Sequence, residues 1–231
     1  MCAIIGMIIQ RPSLDDFETI RNVFLESRIR GMHATGISFV KDGVVKTIKY
    51  PINAKEFVDR YLSDMDYYVN EDGNIYMVGH CRYSTSDLEY NQPIANSVHS
   101  IVHNGVITQE LPENWLEIFG KKTETKNDSE FVLLSEDPLI EFPDSSMSVC
   151  ELTNDKKLKV YRNGKRPLSL TIMDNGCIIT STVDIAKRSG IASFTLPTEM
   201  NVVYTFDESL SMMYERIEEN GHTDLQKYEF C

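Results

Sequence analysis

The sequence predicts an α+β fold in which antiparallel sheets carry helices on their faces. Three features point there. Strands and helices come in blocks, without the regular strand–helix alternation of a parallel sheet. Turn signals recur at Asp42-Gly43, Asn154-Asp155, Asn163-Gly164 and Asn175-Gly176. No repeat, low-complexity tract or long linker divides the 231 residues, so residues 1–231 are expected to form one domain. Two such sheets face to face, with helices outside, would make a four-layer α/β/β/α sandwich. Periodicity alone does not establish the second sheet.

In order, residues 2–10 read as a buried strand broken by Arg11-Pro12. Ser13, with Asp16 three residues on, caps a helix whose stripe is Phe17, Ile20 and Phe24, and Gly31 ends it. Residues 36–40 and 44–48 form a hairpin about Asp42-Gly43. Asn53 and Glu56 start a second helix carrying Phe57, Val58, Tyr61 and Leu62. Residues 74–79 and 100–103 are strands that end at His80 and at Asn104-Gly105. Residues 111–119 and 129–134 read as short helices, and residues 137–146, with Pro138 and Pro143, as loop. Strands follow at 148–153, 158–162, 168–173 and 177–180, then a helix at 182–189 stopped by Gly190. Residues 201–206 and 210–214 are a closing pair of strands, and residues 215–231 a polar, flexible tail.

Composition excludes several classes. A net charge of −12 opposes phosphate-backbone binding, so no nucleic-acid partner is expected. No apolar run approaches a membrane span, and the short apolar start has no basic region before it. The five cysteines, at 2, 81, 150, 177 and 231, include no C-x-x-C pair, and the histidines show no metal-ligand spacing. No metal and no organic cofactor is expected. A reducing, cytoplasmic setting is.

Chemistry concentrates at the front. Cys2 follows the initiator methionine, so removal of Met1 would give one residue both a thiol and a free α-amine. An α-amine titrates near 7.7–8.0 and can accept the thiol proton at neutral pH. The competing reading is a small buried cysteine in a first strand. Downstream stand Arg30-Gly31-Met32-His33-Ala34-Thr35-Gly36-Ile37, Gly79-His80-Cys81-Arg82-Tyr83-Ser84-Thr85, Asn91-Gln92-Pro93-Ile94, His103-Asn104-Gly105-Val106-Ile107 and Asn127-Asp128-Ser129-Glu130.

In order and spacing, across residues 2–206, these segments resemble the glutaminase domain of the class II, N-terminal-nucleophile glutamine amidotransferases. The resemblance implies the four-layer sandwich and hydrolysis of glutamine to glutamate and ammonia. It implies Cys2 as nucleophile, Arg82 on the glutamine α-carboxylate and Asp128 on its α-ammonium. Asn104 and Gly105 would form the oxyanion hole, and Thr85 and its neighbours would line the pocket. Physical chemistry agrees. A zwitterion needs one cation and one anion to fix its ends, and a guanidinium fork suits a planar carboxylate. Neutral N–H donors stabilise the oxyanion that forms on attack at an amide.

Each residue has a plainer reading beside this one. Arg82 would be a surface arginine, Asp128 a helix cap and Asn104-Gly105 a turn. His80 and His103 are expected to tie loops together. The other four cysteines are expected to be buried or incidental thiols. Arg166-Pro167-Leu168 with Ser181-Thr182 is similar to a family pattern and reads as scaffold around the site. Two departures stand out: Ala3 where the family has Gly, and no acidic residue near His33 or Ala34. The ammonia is expected to pass to a separate synthase subunit, because no acceptor segment or phosphate loop is visible. The alternatives are a γ-glutamyl amidohydrolase of the same fold and a catalytically silent glutamine-binding module.

Overall fold

The computed structural model describes residues 1–84, 88–218 and 221–228. In chain order the elements are β1 (Ala3–Gln10), α1 (Leu14–Ser27), β2 (Ala34–Lys41), β3 (Val44–Tyr50), α2 (Ala54–Tyr61), β4 (Asn74–Arg82), β5 (Ile94–Ala95) and β6 (His99–Val106). A 3-10 turn over Pro112–Asn114 leads into α3 (Trp115–Phe119), α4 (Glu130–Leu133) and α5 (Pro138–Glu141). Then come β7 (Ser146–Thr153), β8 (Leu158–Arg162), β9 (Ser169–Met173), β10 (Gly176–Thr180), α6 (Val183–Arg188), β11 (Thr195–Pro197), β12 (Val202–Phe206), β13 (Met212–Glu218) and β14 (Gly221–Tyr228).

Two seven-stranded antiparallel sheets result, in the orders β11-β9-β10-β1-β4-β2-β3 and β14-β13-β12-β8-β7-β6-β5. The alternation of β1 shows how they stack. Ala3, Ile5, Met7 and Ile9 join one buried cluster with Phe17, Ile20 and Phe24 of α1 and Phe57 of α2. Ile4 and Ile8 join another, with Val102, Cys150, Val160 and Phe206 of the facing sheet. One face of β1 is thus covered by helices and the other by the second sheet. A third cluster packs Trp115, Phe131 and Leu139 of α3, α4 and α5 on Ile101, Val149 and Tyr161. The layers run helix, sheet, sheet, helix, as the fold class predicts.

Local signals act as expected at several ends. Ser13 accepts the Asp16 N–H while the Asp16 carboxylate accepts the Ser13 N–H, a full capping box. Asn53 caps α2 by accepting the Glu56 N–H. The β2–β3 hairpin turns on Asp42 and Gly43, with φ of +56° and +70°.

Other expectations change. Residues 137–146 are not all loop: Pro138 opens α5 and Asp137 caps it by accepting the Ile140 N–H. Asn104-Gly105 is no turn, because β6 continues through it with Asn104 opposite Ser148 and Gly105 opposite Met147. β5 and β11, too short to carry periodicity, exist through pairing with β6 and β9. The polar tail expected from Glu215 instead continues β13 and adds β14 at the sheet edge. Ile217 anchors it in the third cluster, and its N–H donates to Asn201 O at 2.8 Å. No helix among the described residues is long and apolar enough to cross a membrane.

The loop after α1 is set against the end of β4 by Gly31. A Cβ there would lie 2.1 Å from Cys81 O and 2.6 Å from Arg82 C, both rigid backbone. Gly31→Ala is therefore expected to destabilise the protein by about 1–3 kcal/mol, the usual cost of overpacking. A urea midpoint unchanged from wild type would refute this close approach.

Candidate active site

Pairing between β1, β4 and β2 gathers three segments at one end of their sheet. Ala3 lies opposite Cys81, and Ala34 opposite Arg82, so Cys2, Arg82 and the 30–33 loop become neighbours. They meet the end of β6 and the 127–129 segment around a cavity of about 620 Å³. Cys2, Arg82, Gly105 and Asp128 all line it. Asn104 is buried one residue behind Gly105. Thr85 lies outside the described residues.

Cys2 is half-buried, and its Sγ lies 3.9 Å from Tyr83 O. Burial pushes the thiol pKa up; the Tyr83 carbonyl contact, the N-terminal charge, Arg82 and Arg30 only partly offset this. The group is thus a thiol awaiting a base rather than a standing thiolate. Its backbone is held on both sides. Arg30 Nε donates to Cys2 O at 2.9 Å, and Ile4 N donates to the buried Ser181 Oγ at 2.9 Å. The sequence places Arg30 in a motif but offers no task for it; its hold on the Cys2 carbonyl follows only from the fold.

Arg82 is anchored through one arm. Its Nη1 donates to Tyr90 O at 3.0 Å and Asn91 Oδ1 at 2.8 Å. Nε and Nη2 make no hydrogen bond among the described residues, which leaves two parallel donors for a carboxylate. Asp128 is oriented by the chain it faces: Oδ2 accepts the N–H of Ile107 at 2.7 Å and of Thr108 at 3.3 Å. Its Oδ1 has no hydrogen-bond partner among the described residues. Asp128 does not cap α4, whose N-cap is Ser129.

Gly105 is demanded by the backbone. Its φ is +155°, and a Cβ would lie 1.8 Å from Ser146 O. The neighbouring Asn104 is 3 % exposed, and its Nδ2 has no partner among the described residues. A buried amide donor left unpaired costs about 1–3 kcal/mol, so it needs a reason in the chemistry.

Behind the cavity lies a neutral hydrogen-bonded frame. Gln92 Oε1 accepts the His103 N–H at 2.6 Å, and its Nε2 donates to His103 O and Ser129 Oγ, each at 3.0 Å. His103 Nε2 faces Ser146 O at 3.2 Å and so carries the proton. Nδ1 is then the acceptor of the Ser129 hydroxyl at 2.8 Å. His80 is fully buried, with the backbone of His103 set against its ring. Burial, aided by the Arg82 charge, pushes its pKa down to about 3. His103 ties segments together by hydrogen bonds, as the sequence suggests, whereas His80 is a buried neutral ring with no such side-chain tie among the described residues. Gln92 and Ser129 stand in separate motifs, and their joint grip on His103 needs three segments brought together in space.

Three of the remaining cysteines are inert by burial. Cys81 and Cys177 are each pushed up to about 12, and Cys150 well above its ordinary value. Cys231 lies outside the described residues. Among the described residues no group of three or more His, Cys, Asp or Glu is placed to hold a metal ion.

No protein-family model and no curated protein matches the chain. Solved structures do. One is glutamine phosphoribosylpyrophosphate (PRPP) amidotransferase from B. subtilis complexed with ADP and GMP, with a TM-score of 0.67 and 19 % identity. Another bears the description "structure of the allosteric regulatory enzyme of purine biosynthesis", with a TM-score of 0.70 and 20 % identity. The chain has the glutamine amidotransferase fold. In each comparison 95 % of this chain matches 50 % of the other, so it spans about half the length of these structures.

His80 gives this amidotransferase-fold site a pH signature. Near pH 7 it is neutral whether the chain is folded or not. Below 6.5 the unfolded chain takes up a proton that the folded chain refuses until about pH 3. Stability therefore falls as pH falls through that window, by about 1.4 kcal/mol per pH unit for one histidine. Urea titrations of His80→Leu should show a shallower loss between pH 6.5 and 4.5 than wild type. Parallel slopes would contradict the buried neutral ring.

Proposed function

We propose that the protein hydrolyses the side-chain amide of glutamine through a Cys2 thioester. One observation carries this reading: a thiol, a half-free guanidinium, a half-free carboxylate and a backbone-constrained glycine share one cavity. With Met1 removed, the Cys2 α-amine takes the thiol proton and the sulfur attacks the amide carbon. Asn104 Nδ2 and Gly105 N–H stabilise the oxyanion, a role worth about 2.7–4 kcal/mol per donor. The unpaired Asn104 donor is then part of a preformed hole. The intermediate collapses as the C–N bond breaks and the same amine protonates the leaving nitrogen. Water next attacks the thioester, gives its proton to the amine, and releases glutamate and the thiol. Arg82 and Asp128 hold the α-carboxylate and α-ammonium throughout.

The ammonia passes, in this reading, to a separate synthase subunit. Exposed apolar side chains near the site support a partner: Tyr83 lines the cavity and is exposed, and Ile29 and Met32, which flank Arg30 and Gly31 in the chain, are exposed as well. Full glutaminase turnover by an isolated monomer would count against the partner alone. A second reading, a γ-glutamyl amidohydrolase, draws on the cavity's further lining by Thr108, Gln109, Glu110 and Trp115. That is more room than one amino acid requires. Turnover of glutamine against γ-glutamyl peptides separates the two.

Mass spectrometry should find Met1 absent and a glutamine-like electrophile attached to Cys2. Cys2→Ala should abolish turnover yet still bind glutamine; residual hydrolysis would remove Cys2 from the mechanism. Arg82→Lys and Asp128→Asn should each lower kcat/KM by about ten- to a hundredfold, the loss of one charge-assisted contact. Asparagine at 128 keeps an acceptor for Ile107 and Thr108, so that loss reports the charge. An unchanged kcat/KM in either variant would displace that residue from the clamp.

A further inference from the structure

The 30–37 segment holds a titratable side chain where the family resemblance leads one to look for an acid, and the structure gives it a specific contact. Ser84 N donates to His33 Nδ1 at 2.9 Å. The His33 ring lies on the Tyr83 ring, with centroids 4.9 Å apart. His33 N donates to Arg82 O at 2.9 Å. Three consecutive residues are therefore pinned by one histidine. All three line the cavity, and the Tyr83 carbonyl is the one beside the Cys2 thiol.

We propose that His33 is a positioning residue that acts only as a neutral acceptor, and that its protonation releases the Arg82–Tyr83–Ser84 segment and weakens glutamine binding. The proposal rests on the glutaminase reading of the site. To accept from Ser84, Nδ1 must carry a lone pair, so the proton of the neutral ring sits on Nε2. A second proton could go only to Nδ1. Two N–H donors would then point at each other, and the contact must open. The charges nearby deepen the effect. Arg82 from β4 and Arg30 from the same loop are cations, the Tyr83 ring and Cys2 lie alongside, and no carboxylate pairs with His33 among the described residues. A carboxylate in this place would accept the same N–H without titrating near neutrality. The departure from the family pattern thus keeps the acceptor and adds a pH dependence.

The test uses the full chain with Cys2→Ala, which removes the thiol and turnover. Binding is compared between variants that differ only at position 33, across pH 7.5 to 5.5. If only neutral His33 binds, the apparent Kd rises about tenfold per pH unit below its midpoint. His33→Asn supplies an acceptor at the same reach with no titrating proton, and should flatten that rise while keeping the affinity at pH 7.5 close to that of the His33 protein. His33→Phe keeps the ring on Tyr83 without an acceptor, and should bind at least about tenfold more weakly throughout. In the free protein, the Ser84 amide resonance should move with the His33 ring titration and stay still in His33→Asn. A Ser84 amide that ignores the His33 titration, or a pH dependence of binding left unchanged by His33→Asn, overturns the proposal. Absence of glutamine binding at every pH overturns the glutaminase reading instead, and the Ser84 resonance still decides the role of His33.

Discussion

The antiparallel pairing of β1 with β4 is the constraint on which the site depends. It sets Ala3 opposite Cys81 and so delivers Cys2 to the place where Arg82 leaves the same sheet. A slip of one residue would exchange the helix-facing and sheet-facing sides of β1. Ile4 and Ile8 would then meet α1, and Ile5 and Met7 the second sheet. Both cores would be lost together with the site. The register that places Cys2 is thus secured by burial on two faces of β1.

The second sheet contributes differently. Together with the segments before β5 and α4, its share of the site is polar, buried and uncharged: Gln92, His103 and Ser129 close a ring in which every donor meets an acceptor. A frame of this kind is rigid because each broken bond leaves an unpaired group in low dielectric. It places Asn104 and Gly105 without adding a net charge near the position where the oxyanion would form. Arg82 and Asp128 bring charge to the cavity wall, each half occupied by contacts to the protein itself. Such half-occupied groups are held still and yet retain donors or acceptors for a ligand.

Much of this is legible in the sequence where a local rule suffices. The Ser13 and Asn53 caps, the Asp42-Gly43 hairpin and the buried first strand each follow from a few adjacent residues. Cys2, Arg82, Gly105 and Asp128, singled out by their order along the chain, line one cavity in the fold. What escapes has causes outside any local window. β5 and β11 are two and three residues long and exist only as partners of β6 and β9. β14 is polar and reads as tail, because its partner β13 decides its conformation. Asn104-Gly105 has the composition of a turn, yet a partner strand on β7 overrides that preference. The contacts of Arg30 with Cys2 O and of Ser181 with Ile4 N span 28 and 177 residues. No spacing rule reaches across them.

The two departures from the family pattern resolve in opposite ways once their surroundings are known. The methyl of Ala3 could have narrowed the cavity, since it follows Cys2 directly. Instead Ala3 is fully buried in the helix-side cluster with Phe24 and Cys81, on the face turned away from the second sheet. The alternation of β1 sends that methyl into a core that was going to be filled, so it adds packing and leaves the cavity alone. His33 is the reverse case. It is half-buried, touches no core cluster, and spends its hydrogen bonds on the segment that carries Arg82. A substitution in a core is judged by volume, and one at a loop junction by what it can accept or donate. By that measure His33 is read through its contacts, the ring nitrogen that accepts the Ser84 N–H and the backbone N–H given to Arg82 O, which tie its loop to the end of β4.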